Sequence, residues 1–202
     1  MKLKLFALAL AAVAGLALSG STAFAQAGQG CSSIVLPNGT VLTCTLGPGG
    51  TKVYVDSLGN IFPATTGGTG SFTITNTATN PCQATLAPVA ININSNAGPL
   101  GAVHTTLDAT RPATPSLIIS QSLTAQFPAT EDFYFFANAT VTSFAGRQFR
   151  SIQQFHFSSR NVRSFAPHKQ ERFTQIDKVD FEDVLTPGVV VFSVQGTTIT
   201  LN

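Results

Sequence analysis

The amino-acid sequence predicts an all-β protein, an antiparallel β-sandwich with immunoglobulin-like packing that follows a cleaved signal peptide. Three observations carry this. Beyond residue 25 no segment sustains a 3.6-residue apolar period. Short runs rich in Val, Ile, Thr and Phe alternate instead with Gly, Pro and Asn punctuation. About eleven such runs follow one another with no helix between them, which indicates a sandwich or barrel rather than an α/β sheet.

The first element is the leader, residues 1–25. Lys2 and Lys4 precede an apolar run from Leu5 to Leu18, and Ala23-Phe24-Ala25 is a small-x-small cleavage site, so the mature chain is expected to begin at Gln26. The run is short of the ~20 residues a bilayer span needs, and Ser-Gly-Ser follows it where a stop signal would be basic. Ser21 stands where a lipoprotein signal requires a cysteine. The expected location is therefore secreted or periplasmic, at the cell envelope, with no membrane span in the mature chain. Eleven basic residues face nine acidic ones in the whole chain, and removal of Lys2 and Lys4 balances them. The net charge of +2 belongs to the leader and does not support a nucleic-acid partner.

Residues 26–70 read as a Gly/Thr-rich N-terminal β-hairpin segment, with strands at Ser33–Leu36, Val41–Thr45 and Lys52–Val55. "TTGGTGS" is expected to link it to the rest. The three cysteines, Cys31, Cys44 and Cys82, contain no CxxC and no Cys/His cluster, so no metal site is expected. One bridge is expected in an oxidising compartment. Cys31–Cys44 is the favoured pairing, because Asn38-Gly39 between them is a strong two-residue turn, and Cys44–Cys82 is its competitor.

Residues 71–202 form the expected main β-sandwich domain. Its strands are Phe72–Thr77, Val89–Asn94, Leu117–Leu123, Phe133–Thr142, Gln148–Phe157, Arg172–Val184, Val189–Gln195 and Thr197–Leu201, the longest of them bent. Pro187-Gly188 has the residues of a turn between two of them. In "QFRSIQQFHF", Phe149, Phe155 and Phe157 share one parity while Arg150, Gln154 and His156 share the other, as a sheet with one wet face demands. Eleven of the sixteen phenylalanines lie from Phe133 onward, so the second half is expected to build most of the core.

No catalytic residue is nominated. The chain lacks G-x-S-x-G, HExxH and a Walker loop, and "LGPGGTKVYV" runs into a strand rather than the helix N-terminus a phosphate loop uses. His104, His156 and His168 read as surface histidines. Asp177, Asp180, Glu182 and Asp183 lie on an extended segment that turns them to opposite faces, with no glycine-bearing loop to gather them around calcium. Thr73, Thr75, Thr77 and Thr79 form a solvent-facing row. No cofactor is implied.

The most charged stretch holds Arg147, Arg150, Arg160, Arg163, Lys169 and Arg172, followed by the acids 177–183. If Gln148–Phe157 and Arg172–Val184 are adjacent antiparallel strands, the two rows meet and compensate one another. Arg160, Arg163 and Lys169, in the connecting loop, remain as candidate ligand-binding residues. The function expected is that of an exported, non-catalytic structural or binding module at the cell surface or in the periplasm, its partner a protein or glycan of the envelope. The alternative is a secreted hydrolase or carbohydrate-active enzyme with a site assembled from loops. An outer-membrane barrel is disfavoured, because a chain with no Trp and two Tyr lacks the aromatic girdles such barrels use.

Overall fold

The computed structural model describes residues 39–76, 83–122, 125, 127–164 and 171–201. The strands are β1 Val41–Asp56, β2 Ile61–Asn76, β3 Gln83–Asn96, β4 Ala102–Leu107, β5 Ser116–Ser120, β6 Ala129–Phe135, β7 Ala137–Val141, β8 Gln148–Ser151, β9 Phe155–Val162, β10 Glu171–Gln175, β11 Val179–Asp183 and β12 Thr186–Leu201. Single 3-10 turns stand at Gly98–Leu100 and Thr142–Phe144. Among the described residues no helix is long and apolar enough to cross a membrane.

Every strand pairing is antiparallel, and several short strands continue one another. β8 pairs with β11 through Ser151 and Phe181, and β9 with β10 through Phe157 and Gln175, so one path of chain runs beside the next across both pairs. In the same way β4 pairs with β7 and β5 with β6, so the path of β4 and β5 runs beside that of β6 and β7. Each of these paths neighbours the ones before and after it in sequence, and β12 returns to β1 through Leu46↔Leu201 and Val53↔Gln195. The result is a single sheet closed into an up-and-down barrel, which leaves no ladder edge between its first and last strands.

This corrects the immunoglobulin-like part of the expectation. Such packing sets two separate sheets face to face with Greek-key connections, whereas here all described strands belong to one sheet that closes on itself. Closure depends on long, coiled strands. β1, β2 and β12 each run 16 residues, and register shifts interrupt their ladders at several points. Glycine permits the sharpest approach: Gly68 has φ 144°, and a Cβ there would overlap the Asn92 carbonyl oxygen across the β2–β3 ladder. The segment "TTGGTGS" is therefore part of β2 and not a linker, and a boundary between residues 70 and 71 falls inside that strand. Glycine inside a strand marks a bend or a close backbone contact as readily as it marks a flexible tether.

Two hairpin ends show how side chains fix the turns. Asp56 accepts the amides of Leu58 and Asn60 and the side-chain amide of Asn60, which folds the β1–β2 tip around Gly59 at φ 85°. At the β11–β12 end the chain reverses at Val184-Leu185, where Asp183 Oδ1 accepts the Leu185 amide. Pro187-Gly188 lies inside β12 rather than at the turn, and the Gly188 amide donates to Glu182 Oε2.

The core follows period-two alternation from every strand. Phe149, Phe155, Phe157, Phe173, Phe181 and Phe192 are all at most 2% exposed. Ring centroids lie 4.8 Å apart for Phe181–Phe192 and 4.9 Å for Phe133–Phe173. Burial of each such ring contributes about 1.5–3 kcal/mol from the area removed from water. Leu42, Leu46 and Tyr54 of β1 belong to the same cluster, so the strands of residues 41–70 pack on the phenylalanines of the second half.

Candidate functional site

Inward-facing positions of β1 are even-numbered: Leu42, Leu46, Gly50, Lys52 and Tyr54. This alternation carries Lys52 into the barrel, where it is 2% exposed. Gly50 pairs with Thr66 and Lys52 with Ala64, so Thr66 enters the interior from β2 just beside it. Gly50 makes room for this, since a Cβ there would overlap Thr66 Oγ1.

Two small cavities lie in the interior among the described residues. The first is lined by Lys52, Thr66, Thr105 and Thr197 together with Ile93, Phe135, Phe155, Phe157 and Ile199, and leaves about 10 Å³ open to the centre of a water molecule. The second leaves about 20 Å³ and extends along the barrel past Phe72, Ile91, Phe133 and Leu201. They share Ile93, Phe135, Phe157 and Ile199, so they adjoin. By the ~10–15 Å³ that one water requires, each holds about one water-sized group.

Some inward polar groups near the cavities are satisfied. Tyr54 Oη and Ser95 Oγ are hydrogen-bonded at 2.6 Å, and Thr197 Oγ1 donates to Gln175 Oε1. Lys52 and Thr66 differ. Among the described residues Lys52 makes no hydrogen bond or salt bridge; its ammonium instead lies 5.1 Å from the centre of the Tyr54 ring and 5.8 Å from that of Phe155. Thr66 Oγ1 is buried with no hydrogen-bond partner. A cation over an aromatic face gains about 0.5–2 kcal/mol, whereas desolvating an ammonium costs several kcal/mol even after relaxation. The ring contacts offset only part of that cost.

Sequence reasoning missed this site for a definite reason. In "TKVYV" the apolar choice buries Val53 and Val55 and leaves Lys52 outside; the structure turns both valines outward, half-buried, and Lys52 and Tyr54 inward. The signal was present further upstream. Counting in twos from Leu42 and Leu46 through the glycines reaches Lys52, provided the "GPGG" segment is strand, as it is.

The residues nominated from sequence lie elsewhere. Arg160 and Arg163 are exposed near the end of β9, where the Arg163 and Ser164 amides donate to Glu171 Oε1. Lys169, Cys31, Cys82 and the leader lie outside the described residues, and Cys44 is placed only by its backbone, opposite Gly70. Arg147 and Arg150 are compensated in the way the strand order implies. Arg150 Nε lies 2.7 Å from Glu182 Oε1, and Arg147 pairs with Asp183. The Gly188 amide and Arg150 hold the Glu182 carboxyl below its ordinary range; the Leu185 amide and Arg147 do the same for Asp183. Burial pushes Asp108 up, but the hydroxyl and amide of Thr110 and the Arg111 guanidinium outweigh it. Arg111 also lies 3.9 Å above the Phe136 ring and donates to the Ser151 carbonyl, tying the loop after β4 to the barrel wall.

The histidines are likewise partnered on the outer face: His104 with Asn92 at 2.9 Å, and His156 with Asp132 at 3.0 Å while stacked on Tyr134. His168 lies outside the described residues. Among the described residues no group of three His, Cys, Asp or Glu side chains is arranged to hold a metal ion.

No protein-family model and no curated protein matches the sequence. Among solved structures the chain is similar to that of DynF from the dynemicin biosynthesis pathway of Micromonospora chersina, with a TM-score of 0.68 over 86% of this chain and 88% of that one. The two share 9% sequence identity, so the likeness concerns the fold alone.

Proposed function

We propose that the protein is an exported, non-catalytic binding module of the cell envelope, and that its ligand is a small apolar molecule held inside the barrel. The observation that carries this is Lys52, buried in the interior beside a cavity and without a hydrogen-bond or ion-pair partner among the described residues. A barrel of this size has an interior that side chains can fill or that can hold one small ligand. The polar groups around the first cavity are an amine and three threonine hydroxyls. A hydrolase of the glycosidase kind would instead bring two carboxylates to face each other across its substrate.

Export rests on the leader of residues 1–25. Intact-mass analysis of exported protein is expected to give a chain beginning at Gln26, without acyl mass, and with a Cys31–Cys44 bridge on peptide mapping. Interior binding is tested by thermal unfolding of the purified protein with benzene or 1-hexanol. A ligand of the folded state alone raises Tm with its concentration. A rise is expected; a flat response with both compounds overturns the reading of the interior as a binding site.

A further inference from the structure

We infer that Lys52 and Thr66 anchor a carboxylate, and that the ligand class of the barrel is a short apolar monocarboxylic acid. This rests on the interior-binding reading above and adds to it the chemistry of the ligand's polar end.

Lys52 offers three N–H donors and no acceptor, and Thr66 offers a hydroxyl that can donate one more. Both line one cavity, and neither has a hydrogen-bond or ion-pair partner among the described residues. A buried cation without a counter-charge is a costly arrangement, and pairing it inside a low-dielectric interior is the arrangement that recovers the most. The missing partner is therefore an acceptor, and an anionic one matches an ammonium better than a carbonyl or water does.

The surroundings define the rest of the molecule. Beyond Lys52 the second cavity continues past Phe72, Ile91, Phe133 and Leu201, with hydrocarbon on nearly every side. An inorganic anion would satisfy Lys52 and leave this space without purpose, whereas an alkyl carboxylate places its head in the first cavity and its tail in the second. Each cavity holds about one water-sized group. The tail is therefore short, and an acid as long as hexanoate enters only as the rings of Phe135 and Phe157, which both cavities share, turn aside.

The test compares hexanoate with 1-hexanol by calorimetric titration of wild type and of Lys52→Met, with Thr66→Val as a second variant. Wild type is expected to bind hexanoate at least about tenfold more tightly than 1-hexanol, the effect of one hydrogen bond to a charged group. Lys52→Met is expected to abolish that preference while binding 1-hexanol as before. Thr66→Val, nearly the same in shape, is expected to reduce it in part. Equal affinity of wild type for acid and alcohol overturns the carboxylate anchor and leaves interior binding standing. A preference for acid that persists in Lys52→Met overturns the assignment to Lys52. Binding of neither compound overturns both readings. The wild-type comparison and Thr66→Val decide the matter if Lys52→Met does not fold.

Discussion

Where β8 meets β11 in the barrel wall, Arg150 and Arg147 pair with Glu182 and Asp183 on the neighbouring path of chain, and these carboxylates also accept the backbone amides of Gly188 and Leu185 respectively. Inside, Lys52 has aromatic rings where those arginines have carboxylates. The wall carboxylates are held by arginines and backbone amides even where they are buried, as Asp183 is; Lys52 is equally buried and makes no hydrogen bond or ion pair among the described residues. A salt-bridged surface row explains itself through the strands it joins, whereas a solitary interior cation requires a reason beyond the fold.

The largest expected effect comes from two consecutive residues of β11. Phe181 faces inward and stacks on Phe192 at 4.8 Å, and Glu182 follows it on the salt-bridged side. Phe181→Ala is expected to lower stability by about 3–5 kcal/mol in urea unfolding, the range for large aromatic truncations in a core. Glu182→Gln is expected to cost clearly less, and equal losses would show that the charged face bears as much of the fold as the aromatic interior.

Next in size is a difference of sign. Lys52→Met replaces a buried unpaired charge by a flexible apolar chain of similar length and is expected to raise stability by about 1–4 kcal/mol, as such replacements can in interiors. Arg150→Met removes a partner from Glu182 and is expected to lower it. A destabilised Lys52→Met would mean that the interior cation serves folding, and the contrast between the two regions would disappear.

Acid unfolding separates the regions a third way. Folded-state pKa values of Asp108, Asp180, Glu182 and Asp183 lie below their ordinary values. Groups depressed in this way contribute stability that is fully present above the unfolded pKa, about 3.9–4.3, and is lost as pH falls through the lower folded values. The urea midpoint is therefore expected to fall as pH drops below about 4. Glu182→Gln should shorten that fall, and Lys52→Met should leave it unchanged.

The smallest effect is expected at Arg160 and Arg163. Both are exposed, and their replacement by serine should change stability by no more than about 0.5 kcal/mol. Near ~150 mM salt, weak or no binding to DNA or heparin is expected, since strong phosphate tracking needs several uncompensated cations. Tight, steeply salt-dependent binding lost on substitution of Arg160, Arg163 and Lys169 would return the outer face to functional consideration.

Several features of the fold were legible in the chain. The parity of Phe149, Phe155 and Phe157 against Arg150 and His156 is that of the barrel wall, and the pairing of 148–157 with 172–184 is that of β8 with β11 and β9 with β10. The interior site was not legible, because "TKVYV" offers two opposite faces of similar plausibility. A strand has period two, so a one-residue change in the count exchanges every inward residue for its neighbour.

From sequence alone come the β class, the alternation within each strand and the charge rows that meet across the sheet, because these depend on residues near one another along the chain. Whether the strands close into a ring, which parity of β1 faces inward and whether Gly68 bends a strand or loosens a linker were decided by tertiary structure. Each depends on pairings between distant segments, above all Leu46 with Leu201 and Gly68 with Ile93. Local propensity specifies that a segment will be extended, but only the neighbouring strands supply the register and steric contacts that choose its face.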